Sequence, residues 1–559
     1  MSTFSISVIY ETPVEKAERN LHPKFHYSVL TIHHSPFTIF QYLRINMKSV
    51  TALAFLLISL TGISQNNTLG IFDNNSDIGN PKNPGSASYN ASSQSYHLKG
   101  SGYNIWFNRD EFNFLYKKIA GDFILTANFE FLGNKGNEHR KIGWMVRESL
   151  DEGAASMNAV VHGDGLTVLQ WRELRGAYMR DPEDEIFYPK KSAEIIQLER
   201  SGKTMIMRVA HIGEPLQVVG WHVMPSLKDS VYAGLCISSH DPDRSEEASV
   251  WNVRIDRPVP NDYSPNPQIQ RTLAPFRGTV GCRMEIMNVF DGKRKVILSS
   301  NDRFEAPNWM PDGKRLLYNS GGSIYTIPIE GGTTEKINTD TVKRNNNDHG
   351  ISFDGKMLAI SSHRSGLPGG GSTVYVLPLS GGTPRLLTES TPSYWHGWDP
   401  NGKDVTIVAQ RNGGSIYNIY KVSVKDGKET ALTQNTTGHV DGPEYSPDSK
   451  YIYYNANPTG TMQIWRMRPD GSGKEQLTFD EYHNWFPHIS PDGKWMVFIS
   501  FPPDIDPNAH PANKQVMLRL MPVSGGAPKV VAYLYGGQGT INVNSWSPDS
   551  KSIAFVSNY

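Results

Sequence analysis

Cysteine is nearly missing from this chain. Cys236 and Cys282 are the two in 559 residues, so no cysteine cluster can hold zinc. They fall in different expected domains and read as buried free thiols. A charge excess is missing too: Lys+Arg and Asp+Glu each number 55. That balance leaves no electrostatic footprint for nucleic acid, and no Lys/Arg run marks a polybasic membrane patch. The apolar run Val50–Leu60 is well short of the ~20 residues a spanning helix needs. Long helical periodicity is scarce. No Gly-x-Ser-x-Gly nucleophile elbow occurs, which argues against serine peptidase chemistry.

What is present points to strands. Gly (50), Pro (36) and Tyr (25) are plentiful, as expected for many short strands joined by turns. The length exceeds what one core serves, so two or more domains are expected. Met47 opens the stretch MKSVTALAFLLISLTGISQ. Its positive start, apolar run and small residues at Gly62 and Ser64 have the layout of a secretory signal peptide over 47–64, with cleavage after Ser64. Residues 1–46 lack a clear period and read as a gene-model extension, translation starting at Met47. The expected location is periplasmic or secreted.

From about Asn66 to Arg257 a series of runs alternates at period two, among them GDFILTANFEFL (121–132), KIGWMVRES (141–149), LTVLQWRE (166–173) and ASVWNVRID (248–256). Turn residues separate them. A two-sheet β-sandwich or jelly roll over 66–257 follows. Trp106, Trp144, Trp171 and Trp221 are candidates for stacking on sugar rings, with core packing as the competing explanation. The GDF strand, IGWMVRES and ASVWNVRI together resemble concanavalin-like jelly-roll domains of secreted bacterial proteins, many of which bind glycans. The Glu-x-Asp-x-Glu carboxylate strand of the hydrolases among them is absent, and no pair of carboxyls spaced for glycoside hydrolysis stands out. Residues 258–278 hold a proline-rich stretch that reads as a linker.

Beyond it a phrase recurs: PDGK at 311–314, FDGK at 353–356, PNGK at 400–403, PDSK at 447–450, PDGK at 491–494 and PDSK at 548–551. A repeat of about forty to sixty residues is the mark of a β-propeller. Each unit reads as four strands, with the Asp-Gly or Asn-Gly turn supplying a φ > 0 position. The sixth unit has only two strands. The missing pair stands ahead of the first unit, at Gly281–Ser299, so a six-bladed ring over 279–559 is closed by its own N-terminal strands. This phrase set resembles the WD-like repeats of TolB-type propellers, which implies a role in envelope protein complexes.

Residues preceding each PDG turn are expected to line the channel. They include Glu305, Asn308, Asp348, His349, His396, His439, Asp441, Glu444, His483, Asn484, His488, Asn542 and Asn544. Four consecutive blades contribute a histidine. Converging imidazoles and carboxylates suit a divalent metal (Mn, Zn or Ca), with His349, His396 and His488 as ligands, or general acid–base work with Arg364 nearby. A polar channel lining without chemistry is the competing reading. PHISPDGK (487–494) is similar to the metal-binding strand of oligogalacturonate lyases, which implies His488, and Asn484 in place of a glutamine, as ligands. Two functions follow. The first is an exported non-enzymatic binding protein whose partners are envelope proteins. The alternative is a carbohydrate-active lyase or hydrolase, with Arg364 and Arg411 pairing sugar carboxylates.

Overall fold

The computed structural model describes residues 69–133, 135–259 and 281–559. The expected extension 1–46, the signal peptide 47–64 and all of the linker 258–278 except its first two residues lie outside them. Asn67–Tyr559 forms one compact unit. Its regular structure, among the described residues, is strand throughout apart from one 3-10 turn at Pro368–Gly371.

The N-terminal part holds two seven-stranded antiparallel sheets. One runs from Asn74–Ile78 through Phe112–Ala120, Ser230–Ser238, Lys141–Arg147, Ser156–His162 and Thr167–Arg172 to Glu185–Phe187. The other runs from Gln217–Val223 through Thr204–Ala210, Ile195–Ser201, Phe123–Phe131, Asp241–Asp256 and Ser95–Gly102 to Ser86–Asn90. Period-two alternation sends Ile142, Trp144 and Val146 of one sheet, and Leu125, Ala127 and Leu198 of the other, into one shared core. Cys236 and Cys282 are buried free thiols.

The C-terminal part is the six-bladed propeller. Five blades are four-stranded sheets, the first being Phe304–Trp309, Arg315–Ser320, Ser323–Pro328 and Glu335–Lys336. The sixth pairs the last strand, Ser552–Asn558, with Cys282–Asn288, which in turn pairs with Arg294–Ser300. Trp546 completes this blade from the inside through a bridge to Ile553. Closure by the N-terminal strands is therefore as the repeat arithmetic expects.

The recurring phrase has a structural explanation. Asp312, Asp354, Asp448, Asp492 and Asp549 each accept the backbone N–H two residues on, at 2.8–3.2 Å. The motif's aspartate is a turn acceptor, not a catalytic group. The residue after it takes φ near +60 to +70°, as does Gly402 (φ 68°) after Asn401 in the PNGK repeat. A Cβ at Gly402 would meet nothing within 4 Å, so Gly402→Ala isolates backbone strain. It should cost about 1–2 kcal/mol, read as a lower denaturation midpoint at unchanged slope.

The two parts are joined by buried polar contacts rather than by the chain alone. Glu285 of the propeller takes Arg254 of the sandwich at 2.5 Å and Arg294 at 2.7 Å. Arg283 pairs with Asp256 at 2.6 Å. The Gln94 side chain both donates to and accepts from the Val296 backbone, each at 2.9 Å. A cavity of about 900 Å³ follows this seam. Among its charged groups, Glu199 pairs with Arg208 at 2.5 Å and also accepts from Gln515 at 3.0 Å.

Candidate functional site

Each of the first five inner strands carries a register break: between Glu305 and Asn308, Asn345 and His349, Trp395 and Gly397, Asp441 and Glu444, and Trp485 and His488. Ala306, Gly442 and Phe486 take positive φ there. A bulge sets two residues against one and re-aims the side chains around it. Its effect is to split the expected channel residues into two sets.

The first set forms a pocket of about 240 Å³. Asp348, His396, Asp441 and Asn542 line it, with Tyr394, Tyr417, Phe486, His439, His510 and Gln538. Asp441 is its centre. His396 Nε2 lies 2.9 Å from one carboxylate oxygen, and His439 Nε2 and His510 Nε2 each lie 3.6 Å from the other. Burial alone would raise the Asp441 carboxyl, but its imidazole neighbours, His396 first, hold it well below the usual range. Burial would likewise lower His396, and the Asp441 carboxylate overrides it and holds the imidazole above its ordinary value. Asp348 has no such partner. Burial pushes its carboxyl up to about 7, His396 opposing and the Asp441 and Glu305 carboxylates adding to the rise. Phe486 stacks on His396 at 6.1 Å, and Tyr417 meets His439 edge-on at 5.5 Å.

The second set staples blade to blade. His488 Nδ1 lies 2.6 Å from Glu444 Oε2, and its Nε2 lies 2.7 Å from the Ile541 carbonyl. Asn544 donates to Glu444 Oε1 at 2.7 Å and its own carbonyl accepts from Asn308 at 2.7 Å. Asn484 is consumed between the fourth blade, through Gln463 and Thr478, and the fifth, through Ser500 and Arg519. His349 is fully buried away from the pocket, and burial pushes it down to about 4.

Several expectations are corrected accordingly. His349, His396 and His488 do not form a metal triad, because both ring nitrogens of His488 are engaged and His349 faces elsewhere. Among the described residues no group of three or more His, Cys, Asp or Glu side chains is arranged to hold a metal ion. The three pocket imidazoles point at one carboxylate rather than at a common vacant point, so the donor set does not fit Mn, Zn or Ca. Glu444, Asn484, His488 and Asn544 are structural hydrogen-bond partners. Glu305 pairs with Arg303 beside the pocket. Arg364 is exposed on a loop outside the pocket lining. Arg411 is held bidentately by Glu429, 2.7 Å in both contacts, and is not available to a sugar acid. Trp144 is fully buried, its indole N–H donating to the Ile196 carbonyl at 3.1 Å. Trp171 is 5% exposed and stacks on His222 at 4.1 Å. Neither can meet a sugar ring; Trp106 is half-buried.

Sequence reasoning missed Tyr394, Tyr417, Phe486, His510 and Gln538. His510 arrives from the insertion between Trp495–Phe501 and Lys514–Pro522, whose path no period in the sequence encodes.

A family model described as the TolB beta propeller domain matches residues 390–504. An uncharacterized protein of Agrobacterium fabrum (strain C58) is 45% identical over 280 residues, covering 50% of this chain and 93% of that protein. A Tol-Pal system protein TolB of Anaeromyxobacter dehalogenans is 28% identical over 95 residues, which span only 21% of its length and 17% of this chain. A solved TolB candidate from Agrobacterium tumefaciens is 44% identical, covering 50% of this chain and 99% of that one, with a TM-score of 0.47.

Proposed function

We propose, because the chain belongs to the TolB-like β-propeller family, that it is an exported, non-enzymatic binding protein of the cell envelope whose propeller receives a protein partner. The observation that carries this reading is the Asp441 pocket. It has the volume of one large side chain, aromatic walls in Tyr394, Tyr417 and Phe486, and two carboxyls with unequal proton affinities. A basic side chain of a partner fits that chemistry: its aliphatic stem packs on the rings and its charge draws the proton off Asp348. The reading includes a concanavalin-like jelly roll over 66–257, a signal peptide over 47–64 and a mature chain that starts after Ser64.

The test has two parts. Mass spectrometry of the native protein should find its N-terminus near residue 65, in the envelope fraction; a mature N-terminus upstream of Met47 contradicts export by this route. Crosslinking in envelopes should capture a defined partner, and Tyr417→Ala or Asp348→Asn should lower capture roughly tenfold or more, as for interface hot spots. The complex should also tighten as pH rises through about 7, where Asp348 ionises, with His396, His439, His510, Asp441, Glu305, Tyr394 and Tyr417 as the other ionisable groups around it. Capture indifferent to both variants removes the pocket from the interaction.

A further inference from the structure

A second cluster of titratable side chains lies on the sandwich, remote in sequence from the propeller pocket. Ile142 and Trp144 on one strand and Val161 on the next face the shared core, so Lys141 and His162 occupy the other face. They are directly paired across the two strands. Lys141 is 3% exposed, and its ammonium donates to Asn104 Oδ1 at 2.7 Å and, more weakly, to the His139 carbonyl at 3.5 Å. Neither acceptor carries charge. The nearby acids, Glu185 and Asp110, offset that charge only from a distance and make no ion pair with it. Asp110 is gripped by Arg172 at 2.6 Å and Arg147 at 3.3 Å, and Glu185 accepts from Gln170 at 2.9 Å. A buried ammonium without a counter-charge in contact is costly, by several kcal/mol in order of magnitude.

Three imidazoles surround it. His162 is 5% exposed and, among the described residues, neither of its ring nitrogens has a hydrogen-bond partner. The His139 ring lies 6.1 Å from that of His162 and 5.2 Å from that of His240. His240 sits at φ 55° with Nδ1 unpartnered, its ring parallel to that of exposed Tyr103 at 6.4 Å. Burial, then the Lys141 and His139 charges, pushes His240 down to about 4. The cluster thus steps inward from exposed His139 and Tyr103, through half-buried His240, to buried His162 and Lys141.

We propose that this cluster is a binding site for a small oxyanion, a carboxylate or a phosphate, held by the Lys141 ammonium with His162 and His240 donating. The anion supplies a counter-charge in direct contact, which no described side chain gives Lys141, and it gives the orphaned imidazole nitrogens an acceptor. Calorimetric titration of the full chain with inorganic phosphate and, separately, with glucuronate tests this, with chloride matching the ionic strength. Wild type should bind at least one probe at millimolar concentration or tighter. Lys141→Met and His240→Gln should each weaken binding at least tenfold. Response to phosphate alone assigns the site to phosphate; response to glucuronate assigns it to carboxylates. Should the buried Lys141→Met variant fail to fold, the half-buried His240→Gln variant decides. No heat above the chloride control, or unchanged affinity in His240→Gln, overturns the proposal.

Discussion

Deletion of Ser552–Tyr559 should abolish the cooperative melting of the propeller. Those residues hold the strand by which the C-terminal piece of chain joins the N-terminal piece in one blade: Cys282 pairs with Asn558 and Asn288 with Ser552, across the whole length of the strand. Ile553, Ala554 and Phe555 are fully buried and Val556 nearly so. Burying an Ile, Phe or Val side chain contributes about 1.5–3 kcal/mol. The three large ones together approach the roughly 5–15 kcal/mol that holds an ordinary domain folded. The loss does not stop at contacts. Without the strand, Cys282–Asn288 becomes a raw edge, and the ring has nothing to pair its ends. The expected readout is loss of the main calorimetric transition with rapid proteolysis beyond residue 281. A truncated protein that melts at the wild-type midpoint would show that the ring closes by other means.

The closure is legible in the sequence because it is arithmetic: a repeat with two missing strands at one end and two spare strands at the other leaves one solution. The turn chemistry is legible for the same kind of reason, since an Asp-Gly pair has few backbone alternatives. The pocket is less so. Bulges leave no reliable mark in an inner strand; Ala306 and Phe486 take positive φ with nothing in their identity to announce it. Once the bulge is passed, side chains change direction, and His349 and His488 leave the channel that an unbroken alternation gives them. Asp348, His396 and Asp441 were found because they sit at or before the break. Trp144 is a different case. Its phase with Ile142 and Val146 was available in KIGWMVRES, and that alternation alone argues for the core over a sugar-binding face. The sandwich–propeller seam was out of reach, because Glu285 meets Arg254 from another fold unit and no local pattern pairs them.

That seam carries the second large effect. Glu285→Gln should destabilise the protein by about 3–5 kcal/mol, the scale on which breaking a buried ion pair acts. The cost arises from what remains: Arg254 and Arg294 are 6% and 5% exposed, and without the carboxylate two guanidiniums face each other out of water. Burial would raise the Glu285 carboxyl, yet Arg254 and Arg294 hold it far below its ordinary value of 4.5. A carboxyl depressed in the folded state stabilises above its unfolded pKa, and that contribution is lost as pH falls toward the folded one. Wild type should therefore lose stability progressively below about pH 4.5, and Glu285→Gln should lose less of its remaining stability over that range. Because Arg254 belongs to the sandwich and Glu285 to the propeller, the variant should also melt in two steps where wild type melts in one. Replacing all three members together, as Glu285→Leu with Arg254→Met and Arg294→Met, should recover most of the loss, since no charge is then left unpaired. A Glu285→Gln protein with the wild-type midpoint and a single transition would mean that the seam is held instead by the Gln94 side chain on the Val296 backbone and the Asn252 side chain, which donates to the Gly292 carbonyl at 2.9 Å and accepts from the Arg294 N–H at 3.0 Å, and that the triad merely fills it.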